Sequence, residues 1–274
     1  MIRRIISTLK YAFFSAYTVI ILYPIFVVII SSFKSNEEIY TSPWGFPRSW
    51  MLESYTLIWT RFDMGYYFLN SIYYAVCGCM ISLVLCSMGA FAISKLKWKL
   101  SKLTMAYFLL GMMVPVHATI IPLYINILKI GIRDPRISLL LVFVAYAVPF
   151  TVFVLASFME SIPRSLEEAA VIDGCNVFML FLKIITPLTK PAIATVTVFN
   201  FLGIWNDLLM SLVFITEEKH KTLQLGLLRF QSQFTTRYSP MLAALTIAMI
   251  PVIVVYLFLQ DKIVEGVSAG AIKG

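Results

Sequence analysis

The sequence predicts an all-α polytopic membrane protein in which six helices cross the bilayer and both termini lie on the same side. Three observations carry this expectation. Hydrophobic residues make up 60% of the 274-residue chain and charged residues only 13%, about half the charged share of a soluble domain, and the mean hydropathy is +0.86. The apolar residues gather into solid runs of about 20, the length a helix needs to cross a hydrocarbon core of about 30 Å. Alternation of period two is absent, which argues against a transmembrane β-barrel.

The expected spans are residues 11–32, 68–94, 103–128, 138–158, 192–215 and 241–259, all within one transmembrane domain covering 1–274. The first run follows Arg3, Arg4 and Lys10, as a signal peptide would. It is longer than a signal h-region and lacks a small-x-small cleavage site, so it reads as the first membrane helix. Residues 33–67 form the longest external connection, where Trp44, Trp50 and Trp59 read as interfacial anchors. Cys77, Cys79, Cys86 and Cys175 show neither a disulfide framework nor metal-ligand spacing and read as structural thiols. Lys95, Lys97, Lys99 and Lys102 crowd one short connection. That density, with the N-terminal arginines, places the connection and both termini in the cytoplasm.

The third run holds His117 between Pro115 and Pro122. Proline frees backbone carbonyls and kinks helices, while His117 reads as a hydrogen-bonded packing residue rather than a proton relay. The fifth run holds Trp205, Asn206 and Asp207. An ionisable group in a membrane segment faces protein or water, so these three are candidates for a substrate path; a structural hydrogen bond explains Asp207 equally well. The net charge of +8 reads as topology and contact with lipid headgroups, not as nucleic-acid binding. There is no G-x-x-x-x-G-K-[ST] run to cradle phosphates, no nucleophile elbow and no metal-ligand cluster. The chain is therefore expected to be a non-enzymatic component.

The one polar island between apolar runs lies between Pro163 and Pro191. Pro163 suits a first helical position, Glu167 and Glu168 suit the positive end of the helix dipole, and Gly174 suits the position just past the helix end. A helix over 163–173 follows. Asn176 can cap a second helix in which Val177, Leu180, Phe181 and Ile184 recur with helical period before Pro187 stops it. Ala169, Ala170 and Gly174 are small enough for another surface to approach closely, and Glu168 and Asp173 could hydrogen-bond to it.

This island resembles the EAA loop of the membrane-spanning subunits of binding-protein-dependent ABC importers. Glu168, Ala169, Ala170, Asp173, Gly174, Ile184 and Pro187 match that pattern in type and spacing, while Cys175 and Thr186 depart from it. The resemblance implies the type I ABC importer permease fold, and docking of an ATPase dimer on Glu168, Ala169, Ala170, Asp173 and Gly174. ATP and Mg would be bound by that partner, with no cofactor in this chain.

Further partners implied are a second, non-identical permease and an extracytoplasmic solute-binding protein, in the cell (inner) membrane of a bacterium or archaeon. Two features are similar to the carbohydrate branch of the family. Thr222, Leu223 and Gly226 fit a loop that reaches the binding protein. The tail, with Gly266, Ala269, Gly270, Ala271 and Lys273, is similar to one that enters the ATPase interface. The implied cargo is an oligosaccharide or similar carbohydrate, with a polyol or glycerophosphate-like solute as runner-up. A secondary transporter would show more intramembrane ionisable groups and an internal repeat. A non-transporting scaffold would bring no ATPase with it.

Overall fold

In hydrocarbon, a helix satisfies its own backbone, so apolar runs become helices wherever proline and capping side chains permit. The computed structural model describes residues 2–96, 98–230 and 237–271, with side chains over 6–96, 98–230 and 237–262, and no strand occurs among them. In chain order the helices are α1 (Ile2–Ser31), α2 (Asn36–Thr41), α3 (Glu53–Arg61), α4 (Met64–Ser94), α5 (Ser101–Met112), α6 (Ile120–Ile130), α7 (Pro135–Glu160), α8 (Arg164–Ile172), α9 (Val177–Leu188), α10 (Lys190–Trp205), α11 (Leu209–Phe214), α12 (Leu223–Leu227) and α13 (Tyr238–Ala271). Among the described residues four unbroken stretches, within α1, α4, α7 and α13, are long and apolar enough to cross a membrane, and counting each of two bent pairs as one span brings the number to as many as six.

The bent pairs differ from the continuous spans expected at those places, the third of them with a proline kink. In the third run α5 ends at Met112, a short 3₁₀ turn spans Val116–Thr119, and α6 leaves at 89° to α5. Pro115 lacks an N–H and biases Val114 away from helical angles, so the chain breaks here instead of kinking. In the fifth run α10 has only 16 residues, about 24 Å of rise. It pairs with α9 at 75° and stops before Asp207, with α11 resuming at Leu209.

The backbone falls into two compact units, residues 1–65 with 226–250, and residues 66–225 with 251–274. The divisions lie inside α4, α12 and α13. In the first unit α1 is exposed over residues 6–26. The connection after it is built, not loose. The Ser35 hydroxyl caps α2 by accepting from the Glu38 N–H at 3.1 Å. Lys34 is buried, and its Nζ donates to the carbonyls of Ser42 at 3.0 Å and Pro43 at 3.1 Å. Ser239, in the first turn of α13, ties back through its N–H to Asn36 Oδ1 at 2.9 Å and through its hydroxyl to the Lys34 carbonyl at 2.6 Å.

The second unit packs α7 against α5 and α10, with α4 contributing to the same core. Lipid tails are as apolar as leucine, so close approach through small residues stabilises such contacts more than hydrophobicity does. At Gly78 of α4, a Cβ would lie 2.7 Å from Ile204 Cδ1 of α10. Ala90 of α4, Ala156 of α7 and Ala192 of α10 are buried in one cluster with Leu155, Met159 and Val196. Asp134 starts α7 by accepting the Arg136 N–H at 2.8 Å. All four cysteines are free thiols.

Candidate functional site

The polar island folds as a helix, a turn and a second helix. Pro163 is extended, with ψ 136°, and precedes the helix; α8 starts at Arg164 and ends at Ile172, one residue inside each expected end. Gly174 takes φ +83°, the left-handed region that glycine enters without steric cost. Its N–H donates to Val171 O at 3.0 Å, and the next N–H, from Cys175, to Ala170 O at 2.9 Å. Those two bonds make a Schellman stop. Asn176 Oδ1 then accepts from the Met179 N–H at 2.8 Å, the cap expected for the second helix.

That second helix departs from regular winding. Leu180–Ile185 forms a π-helix that ends two residues before Pro187, whose absent N–H leaves an ordinary helical bond unmade. Pro187 therefore does not stop the helix; α9 runs on to Leu188. Leu180 and Ile185 are buried, and Phe181 packs on Phe91 of α4 with ring centroids 5.2 Å apart. Val177, expected on the same face, is exposed.

The residues expected to dock an ATPase are brought together but do not share one face. Glu168, Ala169 and Asp173 are exposed, and Gly174 is open, with nothing within 4 Å of an added Cβ. Ala170 points the other way, into the core beside Leu180 and Phe181. Its small size serves packing within this chain. The outer face holds two residues that sequence reasoning passed over, Ile172 at 85% exposure and Phe178 at 65%. Ile172 lies four positions after Glu168, one turn along the same face, and that spacing is the signal that could have found it.

Lys95, counted in the sequence as a topology charge, braces this element. Its side chain is 4% exposed; Nζ contacts Glu167 Oε1 at 2.5 Å and donates to Ile162 O at 2.9 Å. The end of α4 is thus joined to the first turn of α8.

A second constellation forms where the third and fifth runs break. His117, Phe143, Tyr146, Phe199, Asn200 and Asp207 line a cavity of about 250 Å³. The Tyr146 hydroxyl pairs with Thr119 Oγ1 and donates to Val116 O at 3.2 Å, bracing the turn that carries His117. Asn200 is buried and donates from Nδ2 to Thr151 Oγ1 at 3.0 Å. Neither Asn200 nor Tyr146 stands out in the sequence. Asp207 has two structural roles here. It lines the cavity, and it starts α11, with Oδ1 accepting from the Met210 N–H at 3.2 Å and Oδ2 from the Ser211 N–H and hydroxyl, each at 2.9 Å. Trp205 is not among the cavity residues. It is buried, stacks on Phe201 at 5.6 Å and meets Phe68 edge-on at 5.7 Å. Asn206 is exposed at the end of α10 and is not among the cavity residues.

The segment expected to reach a binding protein turns its motif inward. Thr222 and Leu223 are buried; the Leu223 N–H donates to Ser71 Oγ at 2.8 Å, and Thr222 Oγ1 accepts from the Leu225 N–H at 3.4 Å. Gly226 sits buried in the same helix, α12. The three residues build the loop and offer little surface. Asn70 Nδ2 adds bonds to the carbonyls of Lys219 and Lys221, both 2.9 Å, and the Tyr67 hydroxyl donates to Glu218. Exposed here are Glu217, Glu218 and Lys219. The Lys219 hydrogen bond and charge hold the Glu217 carboxyl below the usual carboxylate range. In the tail, Gly266, Ala269, Gly270 and Ala271 lie within α13 as backbone, their side chains outside the described residues, and Lys273 lies outside them altogether.

Residues 82–269 match the family described as binding-protein-dependent transport system inner membrane component. The diacetylchitobiose uptake system permease protein NgcG of Streptomyces coelicolor is 33% identical over 269 residues, 97% of this chain and 89% of its own. The melibiose/raffinose/stachyose import permease protein MelC of Bacillus subtilis is 29% identical over 252 residues, covering 92% and 91%. Among solved structures, a chain of a bacterial ABC transporter involved in import of the acidic polysaccharide alginate superposes with a TM-score of 0.83 at 25% identity, covering 94% of this chain and 96% of that one. The matched region contains the braced helix-turn-helix and the cavity, and the chain belongs to this family, as a multi-pass, non-enzymatic permease subunit of the type I fold in a binding-protein-dependent ABC importer.

Proposed function

We propose that this chain forms one half of the translocation path of a carbohydrate importer. The cavity is the observation that carries the reading. A sugar presents apolar C–H faces and a rim of hydroxyls, and the cavity offers aromatic rings at Phe143, Tyr146 and Phe199 beside polar groups at His117, Asn200 and Asp207. Its volume of about 250 Å³ lies below the roughly 300–1,000 Å³ of a complete small-molecule site. That suits a surface completed by a second, non-identical permease. Relatives named for diacetylchitobiose and for melibiose, raffinose and stachyose support the same cargo class.

ATP and Mg belong to the partner ATPase dimer, and both termini face the cytoplasm beside it. The exposed face of Glu168, Ala169, Ile172 and Asp173, with Phe178 beyond the turn, seats in that partner. Closure of the dimer moves α8, the Lys95–Glu167 pair passes the movement to α4, and the path alternates between its two openings. An external binding protein delivers the sugar, and the exposed charges from Glu217 to Lys219 suit a polar docking rim.

The test is transport per assembled complex in proteoliposomes, with Asp207→Asn set beside Ser211→Ala. The first alters a cavity carboxylate and the second only a capping partner. Oligosaccharide uptake falls roughly tenfold for Asp207→Asn, the scale of one lost charge-assisted hydrogen bond, and stays near wild type for Ser211→Ala. Equal uptake by both removes Asp207 from the path. Uptake of glycerol phosphate in place of oligosaccharides overturns the cargo class.

A further inference from the structure

We infer that a cavity at the start of α5 binds the phosphate of an anionic lipid headgroup, at a site separate from the solute cavity. It measures about 360 Å³, between the end of α4, the start of α5 and the end of α7, and its lining includes Trp98, Lys99, Ser101, Lys102, Met105 and Glu160.

Four observations converge on an anion. Lys99 and Lys102 are exposed, and among the described residues neither is in an ion pair. The first turn of α5 contains no acidic residue, and Leu100 at its N-cap supplies no side-chain hydrogen bond. Lysine at the positive end of a helix adds to the dipole instead of opposing it, so the local potential favours a bound negative charge. Finally, Ser101 belongs to the lining, and its buried Oγ has no hydrogen-bond partner among the described residues. A buried hydroxyl left unpaired costs free energy that a phosphate oxygen would recover. Glu160 is the one carboxylate in the lining, so the balance at the site is positive.

The surroundings favour a lipid over a free anion. Leu103, Tyr107 and Leu110 follow at helical spacing along α5, all strongly exposed, a track for acyl chains leading away from the headgroup. Trp98 is partly exposed beside the lysines, as suits a ring at headgroup depth. Anionic lipids of the cytoplasmic leaflet attract such basic clusters, and the Lys95–Lys102 connection is the one whose charge density assigns it to that side.

The experiment uses the intact importer complex, equilibrated in nanodiscs of equal parts phosphatidylcholine and phosphatidylglycerol, with retained lipid read by native mass spectrometry. Wild type retains phosphatidylglycerol in excess. Lys99→Ala with Lys102→Ala lowers that excess, roughly fivefold per lysine, while Lys99→Arg with Lys102→Arg keeps it and shows that the fold tolerates change there. An unchanged excess in the alanine variant, or equal retention of both lipids by wild type, overturns the site. Soluble glycerol phosphate does not displace the lipid; displacement would overturn the lipid assignment in favour of a free phosphate ligand.

Discussion

The Glu168–Gly174 and Thr222–Gly226 segments carry motifs of similar kind, yet they face opposite ways. The first exposes Glu168, Ala169 and Asp173 and turns only Ala170 inward. The second buries Thr222 and Leu223 in its own capping and anchoring. A small residue or a capping hydroxyl marks a place where backbone must come close to something. It does not say whether that something is a partner or the same chain. The neighbours decide: α8 is held by Lys95 on one face and is free on the other, whereas Leu223 is drawn onto Ser71 of α4.

Leu223 provides the strongest way to break this contrast. Leu223→Ala removes a side chain with 0% exposure and is expected to destabilise the permease by about 3 kcal/mol, read as a lower unfolding midpoint of the complex. The surviving complex should bind its solute-binding protein with unchanged affinity. A selective loss of that affinity at full stability would return Leu223 to the partner surface.

The next test sets two faces of one helix against each other. Ala170→Trp overfills this chain's own core and should cost about 2 kcal/mol of stability. Ile172→Asp, at an exposed position, should leave stability alone and abolish copurification of the ATPase. If Ala170→Trp instead released the ATPase from a permease of normal stability, the inward assignment of Ala170 would fail.

The smallest effect is expected at Gly174. An added Cβ meets nothing within 4 Å, but φ is +83°, so Gly174→Ala costs backbone strain alone, about 1 kcal/mol. Gly174→Asn should cost less, because asparagine tolerates the left-handed region. Thermal midpoints of the two variants check the order; equal midpoints would show that the turn is not held at this angle.

Much of this was readable because it depends on neighbours in sequence. The six apolar runs, the caps at Asn176 and Gly174 and the outer position of Glu168 follow from composition and helical period. The breaks did not emerge, because residues on either side of Pro115 are equally apolar and periodicity carries no sign of a right angle. Asp207 offered a local clue in Ser211 four residues on, a capping distance hidden by the apolar run around it. Ala169 and Ala170 are identical in type, so only the phase of the helix against its core separates them. Lys95 was the hardest to foresee, since its partner Glu167 is 72 positions away and a charge count sees only sidedness.

The right angle between α5 and α6 also bears on how force travels. Two rigid rods joined at 89° form a bell crank: a push along the axis of one sweeps the other sideways. The Tyr146 hydroxyl grips the pivot at Thr119 and Val116, and His117 rides on it. A small axial slip of α5 would thus swing α6 laterally, while a straight helix given the same slip would only slide past the cavity.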